Sequence, residues 1–356
     1  MLQRMPLPNT NPELSRRILI VRLTALGDVI HGLPVLCALR ENYPRAFIGW
    51  AVEGPAGDLL EGHHALDALI RLPRHWLKSP GEVVKFRRRL RRLHFDTTLD
   101  LQCLTKSGLA ARLSGARRRI GKAGSDGREL SKWFNNELVD PGGEHVIDHY
   151  LGMLRPFGIE SPKVNFDVPE QEQDIQSITN FLRSAKFANQ QFAIVNPGAG
   201  WPSKLWPAER YGQVAKHLMR KHQLPSIVVW AGDREQELAK TIDAESAGTA
   251  IMAPATSITE LASLTRRGRL FIGSDTGPLH LAVAVGTPAI SLHGPSRAKW
   301  CGAYGPKNAC LQVRFDKGPS QHQRNTNNSA MREISVAMVA EACDRLLTAE
   351  TFRRCG

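Results

Sequence analysis

The sequence predicts an α/β protein of two successive domains, each built on a parallel sheet with helices on both faces. Three observations carry that expectation. The chain has 356 residues, enough for two domains of ordinary size, each able to bury its own core. Short apolar runs alternate with longer amphipathic stretches, the pattern of strands joined by crossover helices. The alternation halts in the proline-bearing stretch from Gly158 to Pro169 and then restarts, which places the joint there or in the next helix, Glu170 to Arg183.

Taken in order, Ile18 to Leu23 (ILIVRL) is a buried-strand run, Thr24 to Asp28 a turn, and Val29 to Leu39 a stretch with helical apolar spacing. Phe47 to Val52 and Ala68 to Leu72 follow as strands, Pro80 to Leu93 as a very basic helix, and Thr97 to Leu101 as a fourth strand. Lys106 to Leu113 and His145 to Phe157 are expected helices. In the second half the strands are Phe192 to Val195, Ser226 to Trp230, Leu270 to Ile272 and Ala289 to Leu292. Between and beside them run helices at Pro207 to Lys221, Asp233 to Ala244, Ile258 to Leu264 and Pro278 to Val285, the first opening on a proline. Asp316 to Ala330 is polar and reads as a loop. A last helix, about Ser335 to Thr348, is a candidate to pack back across the joint. The expected division is therefore residues 1–169, residues 170–334, and a closing helix in 335–356.

Composition narrows the class. Hydrophobic residues make up 42% and charged residues 23%, a balance that fits a soluble globular protein. The longest apolar-leaning stretch without charge, Thr276 to Ser296, is broken by Pro278, Pro288 and Pro295 and carries His280 and His293, so it does not suit a membrane helix. The N-terminus lacks the apolar segment of a secretory signal, and a cytoplasmic location is expected. Six cysteines without a C-x-x-C pair indicate neither a zinc site nor a disulfide framework; no metal is expected.

The net charge of +13 is concentrated. From Arg71 to Lys132 there are 17 basic and 5 acidic residues, a net +12. A localised anionic partner follows, whether nucleic acid, an anionic membrane surface, or a phosphorylated or carboxylated substrate. Within that window Lys85, Arg87, Arg88, Arg89, Arg91 and Arg92 share one helix, joined by Arg71, Arg74, Lys78, Arg117, Arg118 and Arg119. A solvated face is the ordinary reading of such a run; an anion-binding surface is the functional one.

No G-x-G-x-x-G follows the first strand and no G-x-x-x-x-G-K-[ST] occurs, which argues against dehydrogenase and P-loop chemistry. Phe271 to His280 (FIGSDTGPLH) instead reads as a strand ending in a small polar turn that opens a helix. Thr276, Gly277 and the residues after them would offer free N–H groups and a positive dipole end to a diphosphate. Asp275 or Thr276 could equally be a plain helix cap. Asn196 to Gly200 forms a second glycine-bearing turn, with Lys204 just beyond it as a point charge for a leaving diphosphate or as an ordinary surface lysine. Glu235, in the first turn of a helix, suits ribose hydroxyls or the helix dipole. Asp28 suits a general base or an N-cap.

Together, Ile18 to Pro34 (ILIVRLTALGDVIHGLP), Asp100-Leu101-Gln102 with Lys106-Ser107, Lys204 before Trp206-Pro207, Trp230 to Glu235 and Ser274 to His280 resemble the ADP-heptose:lipopolysaccharide heptosyltransferases, glycosyltransferase family 9. The likeness is greatest to the heptosyltransferase I branch and covers roughly residues 16 to 295. The resemblance implies a GT-B architecture of two facing Rossmann-like domains and inverting sugar transfer with no cofactor and no obligatory metal. It implies ADP-heptose as donor, bound by the C-terminal domain at Lys204, Glu235, Asp275, Thr276, Gly277 and His280, and Asp28 as catalytic base. It implies a Kdo-bearing lipid A acceptor on the N-terminal domain, for which Gly27, Arg74, Lys78 and Lys106 are candidate contacts. A monomer working at the cytoplasmic face of the inner membrane is expected, with the basic window on that anionic surface. A nucleic-acid-binding protein would explain the same window, but aromatics are scarce there and no nucleic-acid motif is present. A non-catalytic sugar-nucleotide binder would have lost the base, and Asp28 is retained.

Overall fold

The computed structural model describes residues 16–124, 130–315, 324 and 326–354. Of the expected late loop, residues 316–323 and 325 lie outside the described residues, as do 125–129 of the basic window. The first sheet holds β1 (Arg17–Val21), β2 (Phe47–Glu53), β3 (Ala68–Leu72), β4 (Thr97–Asp100), β5 (Arg118–Lys122) and β6 (Glu137–Val139), in the spatial order 3-2-1-4-5-6. The second holds β7 (Ala193–Asn196), β8 (Ser226–Val228), β9 (Ala250–Met252), β10 (Leu270–Ser274), β11 (Ala289–His293) and β12 (Ala309–Gln312), and it repeats that order from β7 onward. All the strand pairings are parallel. Strand order reverses between β1 and β4 and again between β7 and β10, the points where a doubly wound sheet opens a crevice at its carboxyl edge.

The helices are α1 (Leu26–Asn42), α2 (Pro80–Arg92), α3 (Thr105–Ser114), α4 (Ser131–Phe134), α5 (Val146–Gly152), α6 (Glu172–Ser184), α7 (Ala208–His222), α8 (Gly232–Glu245), α9 (Ile258–Arg267), α10 (Gly277–Ala284), α11 (Ala298–Cys301), α12 (Ser329–Arg332) and α13 (Val336–Arg354). Local chemistry explains their ends. In α2, Ser79 accepts a hydrogen bond from the Glu82 N–H, Pro80 takes the first position, and Arg89, Arg91 and Arg92 occupy the last turn, where the dipole favours cations. Its buried residues are Phe86 and Leu90, one turn apart. In α9, Ser257 and Glu260 bond each other's backbone N–H at 3.1 and 2.8 Å, a reciprocal cap.

Strand β1 is central because Ile18, Leu19, Ile20 and Val21 are fully buried between two helical layers. On one side lie Phe86, Leu90, Ala110 and Ala111 of α2 and α3. On the other, α1 and α5 belong to an apolar core that continues without a break into α9, α10 and the strands of the second sheet. The two halves therefore share an apolar seam, where α1 packs on α10. The far face of the second sheet carries α7 and α13, with Val339, Ala342, Cys343 and Leu347 in its core. The closing helix thus packs on α7, β11 and β12 within the C-terminal half rather than back across the joint.

Four strands escape the sequence reading: β5 and β6 in the first sheet, β9 and β12 in the second. Three of these have three or four residues, and β5 reads RRIGK. Arg118 and Arg119 open this strand, and Arg117 stands just before it. Arg118 pairs with Glu137, and Arg119 donates to the Phe134 and Ala116 carbonyls.

Candidate active site

The two switch points face each other across a cleft of about 740 Å3. From the first half it is lined by Ala25, Gly27, Asp28 and His31, and from the second by Lys204, Asp275, Thr276, Gly277 and His280 among others. Helices α1 and α10 meet start to start. A Cβ on Gly27 would stand 2.8 Å from His280 Cδ2, and one on Gly277 would stand 2.6 Å from Leu26 Cδ2, so hydrogen at both positions is what allows the approach. Neither Ala25 nor Thr276 caps its helix through a side chain. Two positive dipole ends and their first-turn N–H groups therefore converge where an anion can reach them.

Asp28 sits in the first turn of α1. Its Oδ2 accepts from the Ala25 N–H at 3.1 Å and pairs with the Arg22 guanidinium, which is itself buried at the end of β1. Both contacts fall on one oxygen. Oδ1 accepts no hydrogen bond among the described residues, and the side chain is 39% exposed, so one carboxylate oxygen is fixed and the other is open to the cleft. The turn beneath is held by the Asp100-Leu101-Gln102 corner after β4. Gln102 Oε1 accepts from Leu23 N–H at 2.9 Å, and buried Asp100 accepts from the N–H groups of Gln102 and Cys103 and from Asn135 Nδ2.

Opposite, Asp275 gathers Lys204 and His280. Lys204 Nζ lies 2.6 Å from its Oδ2 and His280 Nε2 lies 3.1 Å from its Oδ1. Burial alone would raise this carboxyl; the hydrogen bond from His280 and the Lys204 charge outweigh it and hold Asp275 well below the usual carboxylate range. Lys204 is thus parked beside the start of α10, its Nζ 4.5 Å from the centroid of the Trp201 ring. Thr276 is oriented by Asn196 at the end of β7, whose Nδ2 donates to Thr276 Oγ1 at 3.2 Å.

The remaining expected residues lie elsewhere. Glu235 does not line the cleft; its Oε2 accepts from the Ala231 N–H at 2.9 Å, and its carboxylate fills the space a Cβ on Gly198 would take. Burial pushes its carboxyl up against that hydrogen bond. Gly27 is in the cleft, but Arg74 and Lys78 are exposed on the segment after β3, and Lys106 pairs with buried Glu53, which also accepts from Trp76 Nε1. Lys106 thus ties α3 to the carboxyl edge of the first sheet.

Sequence reasoning missed Arg22, His31, Trp201, Arg297 and Arg324. Arg297 and Arg324 bring further positive charge to the cleft, stacked on Phe315 and Trp201 at 5.2 and 4.8 Å. Two of the five carried a signal: a charge closing an apolar strand run at Arg22, and a histidine one helical turn from Asp28 at His31.

Residues 83–331 match the sequence pattern of glycosyltransferase family 9 (heptosyltransferase). Lipopolysaccharide heptosyltransferase 1 of Pseudomonas aeruginosa is 27% identical over 315 residues, covering 85% of each chain. The protein of the same name from Escherichia coli K12 is 25% identical over 326 residues, 89% of this chain and 98% of that one. In fold, the chain is similar to a family 9 glycosyl transferase of Veillonella parvula, with a TM-score of 0.79 at 22% identity over 95% of this chain and 99% of that one. It is also similar to the E. coli heptosyltransferase WaaC with ADP-2-deoxy-2-fluoro heptose, with a TM-score of 0.73 at 22% identity over 92% and 99%. The architecture is GT-B. A sequence match that reaches from α2 to α12, on a fold shared with these enzymes, settles the affiliation: the chain belongs to glycosyltransferase family 9 (heptosyltransferase).

Proposed function

We propose that this glycosyltransferase moves heptose from ADP-heptose to a Kdo-bearing lipid A acceptor of the lipopolysaccharide inner core, with inversion. The observation that carries the reading is Asp28, with its Oδ1 free of hydrogen bonds among the described residues, lining one cleft with the paired helix starts and Lys204. The acceptor hydroxyl gives its proton to Asp28 Oδ1 while its oxygen bonds to the anomeric carbon from the face opposite the leaving group. The bond from that carbon to the diphosphate oxygen breaks, and ADP departs with the electron pair. Its charge is met by the N–H groups at Thr276 and Gly277 and by Lys204, so stabilisation of the leaving group matters more than a general acid. His280 and Asp275 hold Lys204 and the α10 start in place, and Glu235 supports the neighbouring turn on the nucleotide side. In this reading residues 1–169 receive the acceptor and residues 170–334 the donor.

The test is nucleotide release and product mass with Kdo-lipid A and a panel of ADP-, UDP- and GDP-sugars. Turnover confined to ADP-heptose is expected; equal or better turnover with a UDP- or GDP-sugar would replace the donor. Lys204→Ala should weaken ADP binding or slow the transfer by about 2 kcal/mol, roughly 30-fold, the scale of a charge-assisted hydrogen bond. Calorimetry and initial rates read it, and unaltered values in both would remove Lys204 from the site.

The same reading places the protein, as a monomer, on the anionic cytoplasmic face of the inner membrane. Among the described residues no helix is long and apolar enough to cross a membrane. Arg87, Arg88, Arg91 and Arg92 line a shallow groove with Val84 on the outer face of α2. In the layer that α2 forms with α3 and α4, Leu130 and Trp133 are also exposed, the latter by 85%. Cations beside protruding apolar groups suit lipid headgroups better than bare nucleic acid. Replacing the four arginines by Gln should weaken attachment to anionic liposomes on the order of 10²- to 10³-fold at low salt, at about 1 kcal/mol per charge. Lost RNA or DNA binding with intact liposome attachment would assign this face to nucleic acid instead.

A further inference from the structure

His31 is 4% exposed, and among the described residues neither ring nitrogen has a hydrogen-bond partner. An interior polar group left in that state calls for an explanation. Its neighbours do not supply one. The His280 ring stands edge-on at 4.1 Å and the His145 ring at 6.0 Å, but both are already committed. His280 Nε2 bonds Asp275, while His145 Nε2 bonds the Gly302 carbonyl and its Nδ1 accepts from the Ile147 N–H. His31 nevertheless lines the cleft, one helical turn along α1 from Asp28 and on the same face.

We propose that His31 receives a hydroxyl of a sugar bound in the cleft and so helps to select which sugar is transferred. The inference rests on the glycosyl-transfer reading above. Burial, followed by the nearby His280 and His145 rings, holds the imidazole well below its usual pKa, so it is neutral and carries one donor and one acceptor. A diphosphate only accepts, and is better served by Lys204. A hydroxyl both donates and accepts, so it satisfies whichever nitrogen it meets, in either tautomer. The place agrees with the chemistry. With the diphosphate at the start of α10 and the base at the start of α1, the reacting sugar lies between them, beside the next turn of α1. The His280 edge covers these nitrogens, so contact requires the α1 and α10 starts to part enough for the hydroxyl to take the place of that edge while His280 keeps its bond to Asp275.

The test compares wild type, His31→Phe, which keeps a ring and loses both nitrogens, and His31→Gln, which restores a donor and an acceptor. Affinity for ADP should change less than about 2-fold in both variants, because ADP carries no transferred sugar. In His31→Phe, kcat/KM should fall about 10- to 100-fold, the scale of an unmet hydrogen bond in a site built for a hydroxyl, with much of the loss recovered in His31→Gln. A loss in ADP-heptose affinity without acceptor assigns the hydroxyl to the donor; a loss confined to acceptor KM assigns it to the acceptor. Equal losses for ADP and ADP-heptose, or no loss on either substrate, would overturn the proposal. A second measurement needs no core variant: in 15N-histidine spectra of the wild type, the His31 ring nitrogens should shift with ADP-heptose, alone or with acceptor, and not with ADP. Absence of that shift would overturn it too. Wild type that transfers no sugar at all would sink the glycosyl-transfer reading, whereas normal transfer indifferent to His31 sinks this inference alone.

Discussion

Asp28→Asn should turn over about 10²- to 10⁴-fold more slowly than wild type while binding ADP with nearly unchanged affinity. The asymmetry between the two carboxylate oxygens is the reason. Oδ2 is occupied by Ala25 N–H and Arg22, and an amide oxygen can still accept from both. Oδ1, the oxygen open to the cleft, becomes either an NH2 group or an oxygen too weakly basic to take a proton. Substitution therefore removes the base and leaves the helix start standing. Saturating-donor kinetics and ADP calorimetry on the same preparation separate the two effects. Wild-type turnover in the variant would exclude Asp28 from the mechanism, and a parallel collapse of ADP affinity would show that its role is to shape the α1 start.

Asp275→Ala is expected to have the largest effect on stability, on the order of 3–5 kcal/mol near neutral pH, because it strands partly buried Lys204 without its counter-charge and buried His280 without its acceptor. The pH dependence has a definite sign. The folded-state pKa of Asp275 is depressed, so its contribution is fully present above the ordinary value of 3.8 and fades as pH falls toward the lowered folded value. Urea unfolding at pH 7 and again near pH 3 should show the gap between wild type and variant narrowing in acid. A gap that widens in acid would mean that the carboxyl is protonated in the folded protein. ADP affinity should fall as well, since Lys204 loses the group that parks it beside α10.

The parts of the molecule that were legible in the sequence are those whose signal is local. Strand β1 announces itself as four consecutive apolar residues buried on both faces, and the turn after β10 announces itself as small polar residues before a proline. The strands that were missed lie away from the centre of each sheet, where three residues suffice to pair. In β5, the side chains of Arg118 and Arg119 turn to Glu137 and to carbonyl groups, so no hydrophobic run marks it. The candidate site divides in the same way. Asp28, Asp275 and Lys204 follow from motifs, but the unmet nitrogens of His31 depend on His280 and His145, more than a hundred residues away. Nothing near Lys106 in the sequence shows that Glu53 already claims it. Which positive charges remain free is decided by tertiary pairing: Arg71 is taken by Asp58 and Glu61, while the four arginines of the α2 groove have no ion-pair partner among the described residues.

The head-on meeting of α1 and α10 also bears on how such an enzyme can be altered. The two halves, each with its own sheet, look separable, and exchanging halves between relatives is an obvious route to new specificity. Here Gly27 fits under His280 and Gly277 fits under Leu26, so each half carries one member of two interlocking pairs. A grafted half that brings a methyl group at either glycine, or a bulkier residue than its counterpart accepts, would keep its own pocket and still hold the two helix starts apart. Compatibility between halves is then written in part at these four seam residues, and a chimera that melts in two transitions where the parent melts in one would reveal the mismatch.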